Sequence, residues 1–379
     1  MIMPFARRHD GSGFRDWAAG AFHGALTRAG FGLEDVDTLV VAGESDFFTL
    51  QLNPATVLAQ DLGLQAAAFR VEGGGASGQL AVQAGAARIL AGMARIVAVV
   101  GVDATASTLP GAVLRDLYAR SFDAMTDGAT GVTATQAYAL SWQAFAAAEG
   151  LGEDDLARVT IAHRARACAN PGAHLPRQHT AEEIAASPMI ASPYRRLHCS
   201  PLSDGAAAVI LCAPAALPAA RRGAARIAGM GAATDRGLTA RDDIGRFAAK
   251  TRAMQAACRM AGIGPEGIGL AEVYDPYAGA ALQGLQALGL SGRPGAGYAE
   301  GRFTRDGALP VNLSGGLLGQ GAAPGATGVA QVATCALLLE GTYHTDAQPV
   351  QVGRHALADT HGGICSNAAV TILMQGEVG

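Results

Sequence analysis

The stretch Val71-Glu72-Gly73-Gly74-Gly75-Ala76-Ser77-Gly78-Gln79-Leu80 leaves an apolar strand, passes through a glycine turn and enters an alanine-rich helix. Glycine tolerates backbone angles that side chains resist, so three in a row let the chain turn tightly and let a ligand reach the backbone. The helix opening behind the turn aims free N–H groups outward, toward a phosphate or a developing oxyanion. A second turn of this kind reads Asn312-Leu313-Ser314-Gly315-Gly316 and extends through Gly319-Gln320-Gly321-Ala322-Ala323-Pro324-Gly325-Ala326-Thr327-Gly328. Neither matches the dinucleotide fingerprint or the Lys-Ser/Thr ending of a P-loop, which disfavours nucleotide binding of those kinds.

Outward from these turns, apolar strand-like runs alternate with helical stretches, the pattern of an α/β protein with buried sheets. The first half predicts a helix over 14–28, strands at 38–42 and 68–72, a helix over 78–92 and a strand at 96–102. A long excursion to about residue 200, rich in His, Arg and Pro, precedes an apolar strand at 206–212. The second half predicts a strand at 226–230, a helix over 243–261, a strand at 270–274 and a helix over 278–288. A strand near Val311, a helix over 326–339 and strands at 350–359 and 368–374 follow. The reading is two similar βα halves, 1–104 with 201–222 and 223–379, with an insertion at 105–200.

Half of the 379 residues are hydrophobic, enough for a large core spanning two or three domain-sized units. The net charge of -4 and pI near 6.1 give no electrostatic reason to expect nucleic acid or an anionic membrane as partner. No apolar run has the length of a membrane span, and the opening residues lack the apolar centre of a signal peptide, so the cytoplasm is the default location. Cys168, Cys199, Cys212, Cys258, Cys335 and Cys365 are scattered without zinc-ligand spacing, so reduced thiols and no metal are expected. His174 and His179 read as a solvated loop. Lys250 is the only lysine, hence the only Schiff-base candidate, and reads as a surface position on an exposed helix.

Several ordered blocks resemble the thiolase family, most closely its sterol-carrier-protein-type branch. They are Gly75-Ala76-Ser77-Gly78 (family: Cys-Ala-Ser-Gly), Ser203-Asp204-Gly205-Ala206, Glu272-Val273-Tyr274-Asp275-Pro276-Tyr277 (family: Glu-Val-His-Asp-Cys/Ala-Phe), Asn312 to Gly316, and Gly321-Ala322-Ala323-Pro324-Gly325-Ala326-Thr327-Gly328 (family: Gly-His-Pro-x-Gly-Ala-Thr-Gly). The resemblance covers nearly the whole chain, except that Met3-Pro4-Phe5-Ala6-Arg7 looks like the segment after the family's first strand, which would be shortened or absent. It implies a duplicated five-layer α/β/α/β/α fold with a loop-domain insertion in the first half, a homodimer, and coenzyme A thioesters as substrates with no covalently bound cofactor.

The family's chemistry is missing at each motif. Thiolysis needs a thiolate to carry the acyl group and a base to activate it. Gly75 stands for the nucleophile, Ala322 for the activating histidine, Pro276 for the second cysteine and Tyr274 for the histidine of the oxyanion site. Thiolase-like steroid side-chain aldolases also lack the nucleophile, cleave β-hydroxyacyl-CoA by retro-aldol reaction, use tyrosines and work with a small zinc-ribbon/OB-fold partner protein. By that resemblance Tyr274 is the main acid/base, with His361 in the C-terminal glycine turn and Asp275 beside it. Gly75 and Gly363 amides are the oxyanion donors, and Ser77, Asn312 and Ala322 line the substrate site, although the motifs of Asp204 and Asn312 also suit turn-shaping. An empty Gly75 would leave room for a substituted β-carbon. Two other readings stand beside this one: a non-catalytic acyl-CoA-binding or scaffold subunit, and residual acyl transfer through Cys365 or through Cys199 beside His198. The phosphates of coenzyme A would meet arginines of the insertion: Arg164, Arg166, Arg177, Arg195 or Arg196.

Overall fold

A computed structural model describes residues 1–7 and 10–376. The first half runs α1 (Phe14–Ala29), β1 (Thr38–Ala42), α2 (Pro54–Asp61), β2 (Ala67–Val71), α3 (Ser77–Leu90) and β3 (Ile96–Ala104). The insertion holds α4 (Gly111–Tyr118), α5 (Ala134–Glu149), α6 (Glu153–Ala167), α7 (Ala181–Ala186) and a hairpin of β4 (Met189–Ala191) and β5 (Tyr194–Arg195). The chain then returns to the first sheet as β6 (Asp204–Cys212). The second half is β7 (Arg226–Thr234), α8 (Ala248–Ala261), β8 (Leu270–Glu272), α9 (Ala278–Ala287), α10 (Pro294–Ala299), α11 (Gly316–Gln320), α12 (Pro324–Leu339), β9 (His355–Gly362) and β10 (Asn367–Met374).

The two sheets repeat one pattern. In the first, β1 lies parallel between β2 and β3, and β6 runs antiparallel to β3. Residues Ile2 and Ala6 bridge antiparallel to β6. In the second, β8 is parallel to β9, β10 is antiparallel to β9, and β7 is antiparallel to β10. Val311 bridges parallel to β8 at Ala271. The order β2-β1-β3-β6 plus the N-terminal segment thus matches Val311-β8-β9-β10-β7, strand for strand and sense for sense. The first strand is reduced to a bridged segment rather than lost. The strand expected near Val311 is likewise one bridge, its length given up to the turn at Asn312.

Helices α3 and α12 pack against each other between the sheets, α1 and α2 cover the outer face of the first, and α8 covers the outer face of the second, giving five α/β/α/β/α layers. Helix α12 is buried nearly all round, as a helix enclosed by two sheets must be. Pro324 at its first turn lacks only an N–H that the helix would leave unpaired. In contrast α8 shows one buried face, with Ala249, Lys250, Ala253, Met254, Ala257 and Cys258 inward. It starts at Ala248 rather than near 243, after an irregular segment.

The central helices cross where both are glycine. A Cβ on Gly78 would lie 2.7 Å from the Gly328 Cα. Gly78→Val should therefore push α3 and α12 apart and lower stability by ~1–3 kcal/mol, read from the urea midpoint.

Candidate active site

The turn after β2 is held by its own polar groups. The Gly73 N–H donates to Ser77 Oγ at 2.9 Å, the Ser77 hydroxyl donates to the Gly74 carbonyl at 2.6 Å, and the Gly74 N–H donates to Glu72 Oε1 at 2.7 Å. Ser77, expected on the substrate, is fully buried and engaged inside the turn. Opposite lies the β9–β10 hairpin, where Asn367 joins the two. Its Oδ1 accepts from Gly362 N at 2.8 Å, and its Nδ2 donates to Gly73 O at 3.0 Å. Between the turns opens a cavity of about 400 Å³, walled by Gly73, Gly74, Gly362, Gly363, Glu44 and Tyr118 among others.

Gly75 is not an empty position. A Cβ there would collide with the Tyr274 hydroxyl and the His361 carbonyl oxygen. The phenol fills the space of the absent side chain, so the room expected for a substituted β-carbon is not at this point. Tyr274 follows β8, and its N–H donates to Asp359 Oδ1 at 3.0 Å. Its ring packs with Leu317 and Ala322 and meets His361 edge-on at 4.9 Å. Burial, then the charges of Glu44 and Asp103, push its pKa well above the ordinary tyrosine value. At neutral pH it is a hydrogen-bond donor, not a base.

His361 lies within β9, opposite Ala368, rather than in the turn that follows. Its Nε2 is 2.7 Å from Tyr138 Oη, and its Nδ1 is buried without a protein partner. Burial, then the charges of Lys250 and Arg241, hold its pKa well below that of a free imidazole. The ring is neutral across the physiological range. Tyr138 comes from α5 in the insertion and packs at a tilt on Tyr277 at 4.6 Å, which in turn stacks on Tyr194 at 5.2 Å. No sequence signal pointed to this aromatic wall, because Tyr138 and Tyr194 reach Tyr277 from segments more than 80 residues away.

Three residues expected to face the substrate hold the frame instead. Asp275 is fully buried, 2.6 Å from His163 Nδ1, and accepts from the Leu317 N–H at 2.7 Å. His163 Nε2 continues the chain to Tyr298 Oη at 2.7 Å. Asn312, at φ +51°, spends its amide on Val273, accepting from the N–H at 2.6 Å and donating to the carbonyl at 2.9 Å. It acts as a missing strand neighbour. The Ala322 N–H donates to Pro201 O at 3.0 Å and Ser203 Oγ at 3.2 Å, so it is not free for an oxyanion. Gly363, at φ +54°, does border the cavity.

Lys250 overturns the surface reading. It is fully buried on the inner face of α8 and ion-paired with Asp359, the carboxylate that also receives the Tyr274 N–H. A charge here is tolerated because its partner is buried with it. The thiols offer no replacement nucleophile, since burial pushes both Cys199 and Cys365 up to about 12. His198 is engaged by the Arg195 N–H. His174 is not in a solvated loop: its Nδ1 is 2.8 Å from the buried Ser203 Oγ, whereas His179 pairs locally with Glu183. Among the arginines, Arg166 donates to the carbonyls of Val311 and Phe303, and Arg164 is buried. Arg177 and Arg195 meet Glu183 and Glu153, and Arg196 is exposed.

Glu44 and Tyr118 escaped the sequence reading. The Tyr118 hydroxyl donates to Glu44 Oε2 at 2.8 Å on the cavity wall. Loss of solvent pushes Glu44 up to about 7, against the Tyr118 bond that favours its ion and with added repulsion from Glu72. The available signal was its place just past β1, at the carboxyl end of a parallel strand, where α/β sheets bind ligands.

The thiolase C-terminal domain-like family matches residues 231–375. An acetyl-CoA acetyltransferase of Methanothermobacter thermautotrophicus is 34% identical over 95% of this chain and 94% of its own length. Sterol carrier protein 2 of Oryctolagus cuniculus is 30% identical over 55% of this chain and 39% of its own. Among solved structures, an Ltp2-ChsH2(DUF35) aldolase superposes with TM-score 0.82 at 24% identity, covering 99% of this chain and 96% of that one. Among the described residues no helix is long and apolar enough to cross a membrane, and no cluster of His, Cys, Asp and Glu suits a metal ion.

Removing only one partner of the buried pair should leave an uncompensated charge. Lys250→Met should cost ~3–5 kcal/mol in urea unfolding. Adding Asp359→Asn, which removes the stranded charge and keeps an acceptor for the Tyr274 N–H, should recover much of that loss. With both thiols this high, mass spectrometry after incubation with acyl-CoA at neutral pH should find no acyl adduct on Cys199 or Cys365.

Proposed function

This chain belongs to the thiolase superfamily, in its sterol-carrier-protein-type branch, and we propose that it uses that frame as an acyl-CoA carbon–carbon lyase that cleaves a β-hydroxyacyl-CoA by retro-aldol reaction. The observation that carries this reading is the Tyr274 hydroxyl set against Gly75, a neutral donor where an acyl-carrying side chain would stand.

Retro-aldol cleavage needs no acyl-enzyme. A base takes the β-hydroxyl proton, the O–H electrons close a carbonyl, and the Cα–Cβ pair passes to the departing acyl-CoA enolate. The enolate oxygen then needs donors that bind it more strongly than the ground-state thioester. Tyr274 suits that role because its high pKa keeps the proton in place, and the amides of Gly75 and Gly363 are the backbone donors of the same site. His361, neutral and tied to Tyr138, positions the Tyr274 ring rather than removing a proton. The proton returned to Cα completes a redox-neutral reaction that yields a ketone or aldehyde and a shortened acyl-CoA.

The likeness to a solved aldolase whose name carries a DUF35 component supports a small zinc-ribbon/OB-fold partner for this chain too, and the family likeness supports a homodimer. A non-catalytic acyl-CoA-binding role is the second reading, favoured by the number of motif groups now engaged in holding walls: Asp275, Asn312 and the Ala322 amide.

The deciding experiment incubates the protein, co-expressed with such a partner, with branched β-hydroxyacyl-CoAs and follows carbonyl product and shortened acyl-CoA by mass spectrometry. Tyr274→Phe should lower turnover by ~10²-fold or more, and Gly75→Cys should not create thiolysis, since the new thiol meets the phenol and has no base. Acyl-CoA binding without any carbonyl product would favour the non-catalytic subunit, and full activity in Tyr274→Phe would remove the phenol from the mechanism.

A further inference from the structure

We infer that Glu44, on the wall of the cavity between the two glycine turns and hydrogen-bonded by Tyr118, is the general base that takes the β-hydroxyl proton of a β-hydroxyacyl thioester. The inference rests on the retro-aldol reading above and supplies the group that reading lacks. The Tyr274 phenol holds its proton too tightly, and His361 is enclosed with its Nε2 on Tyr138.

The other buried carboxylates near the site are occupied. Asp103 accepts from Gly325 N at 2.5 Å and Glu44 N at 3.2 Å, Asp359 holds Lys250 and Tyr274 N, and Glu272 accepts from both N–H and hydroxyl of Ser314. Glu44 differs. Tyr118 binds its Oε2, no hydrogen bond among the described residues takes its Oε1, and the residue lines the cavity half-buried, whereas Glu72 on the same wall is exposed and accepts from the Gly74 N–H of the turn. It is also rigidly presented. Its N–H is tied to Asp103 on β3, and the Tyr118 ring stacks on Phe48 at 6.1 Å. Glu44 lines the cavity together with Gly73 and Gly74, and the Tyr274 hydroxyl stands against Gly75, the next residue of the same turn. A substrate with its thioester oxygen toward Tyr274 would then place its β-hydroxyl on the Glu44 side.

The step balances within the cavity. The Glu44 carboxylate accepts the β-hydroxyl proton, the oxygen pair closes the C=O, the Cα–Cβ bond breaks with its pair on the enolate, and the same proton passes from Glu44 to Cα. Glu44 ends ionised, as it began. The charged and titratable groups around it are Tyr118 from α4, Glu72 after β2, Asp103 on β3, Arg120 on the cavity wall, and the adjoining Arg70–Asp46 pair. Burial, and after it the charge of Glu72, raises its pKa, which suits a base working near neutrality.

The test is the pH profile of kcat/KM for cleavage by the complex with its partner protein. Because the ionised form is active, wild-type rate should be low in acid, rise through a limb near 7 and level off above it. Glu44→Gln should lose that limb and ~10²-fold or more of the plateau rate. Tyr118→Phe removes a bond that favours the carboxylate, so its limb should move to higher pH, a shift that a merely structural defect would not produce. Wild-type cleavage with Glu44→Gln retaining both rate and limb overturns the role of Glu44 and leaves the lyase reading standing. No cleavage by the wild-type complex overturns both.

Discussion

The contact between Gly75 and Tyr274 is the constraint on which the site depends. The hydroxyl and the His361 carbonyl occupy the volume that a Cβ on residue 75 would need, so any side chain there would displace β9, the Tyr274 ring, or both. The two positions are therefore one decision: a glycine admits the phenol, and the phenol excludes a nucleophile. Asn367 locks the arrangement by hydrogen bonding both turns, and Asp359 fixes the Tyr274 backbone while neutralising Lys250. Between the turns lies a cavity on whose wall Glu44, hydrogen-bonded by Tyr118 at one oxygen, stands beside Glu72 and Arg120.

Burial accounts for much of the remaining chemistry. The same exclusion of water that keeps Tyr274 protonated keeps His361 neutral and the Cys365 thiol intact, because each charged form would be stranded in a low-dielectric interior. Burial raises Glu44 as well, against a hydrogen bond from Tyr118 that favours its ion. The insertion contributes Tyr118 and Tyr138, so residues outside the duplicated halves complete the walls around the turns.

Much of the fold was legible in the chain. The alternation of apolar runs and helices, the repeated glycine turns and the motif order all led to two equivalent halves, and the strand pairing repeats between them. Element ends were less legible: β7 extends to Thr234, α8 begins later than its periodicity suggested, and Val311 makes one bridge where a strand was expected. In the site, the motifs drew notice to Gly75 and Tyr274, and the fold brings the two into contact. The destinations of Asp275, Asn312, Ala322 and Lys250 were not legible. Each forms its decisive bonds with residues distant in sequence, and local pattern says nothing about which partner a side chain will find.

The sequence by itself determined the class of frame, because periodicity and motif identity are local properties that survive without coordinates. Only the tertiary structure decided what surrounds the motif residues. It put a phenol into the space at Gly75, buried the sole lysine against Asp359, and brought Glu44 and Tyr118 together from segments 74 residues apart. Those outcomes follow from packing and desolvation, which act between surfaces that meet only when the chain has folded.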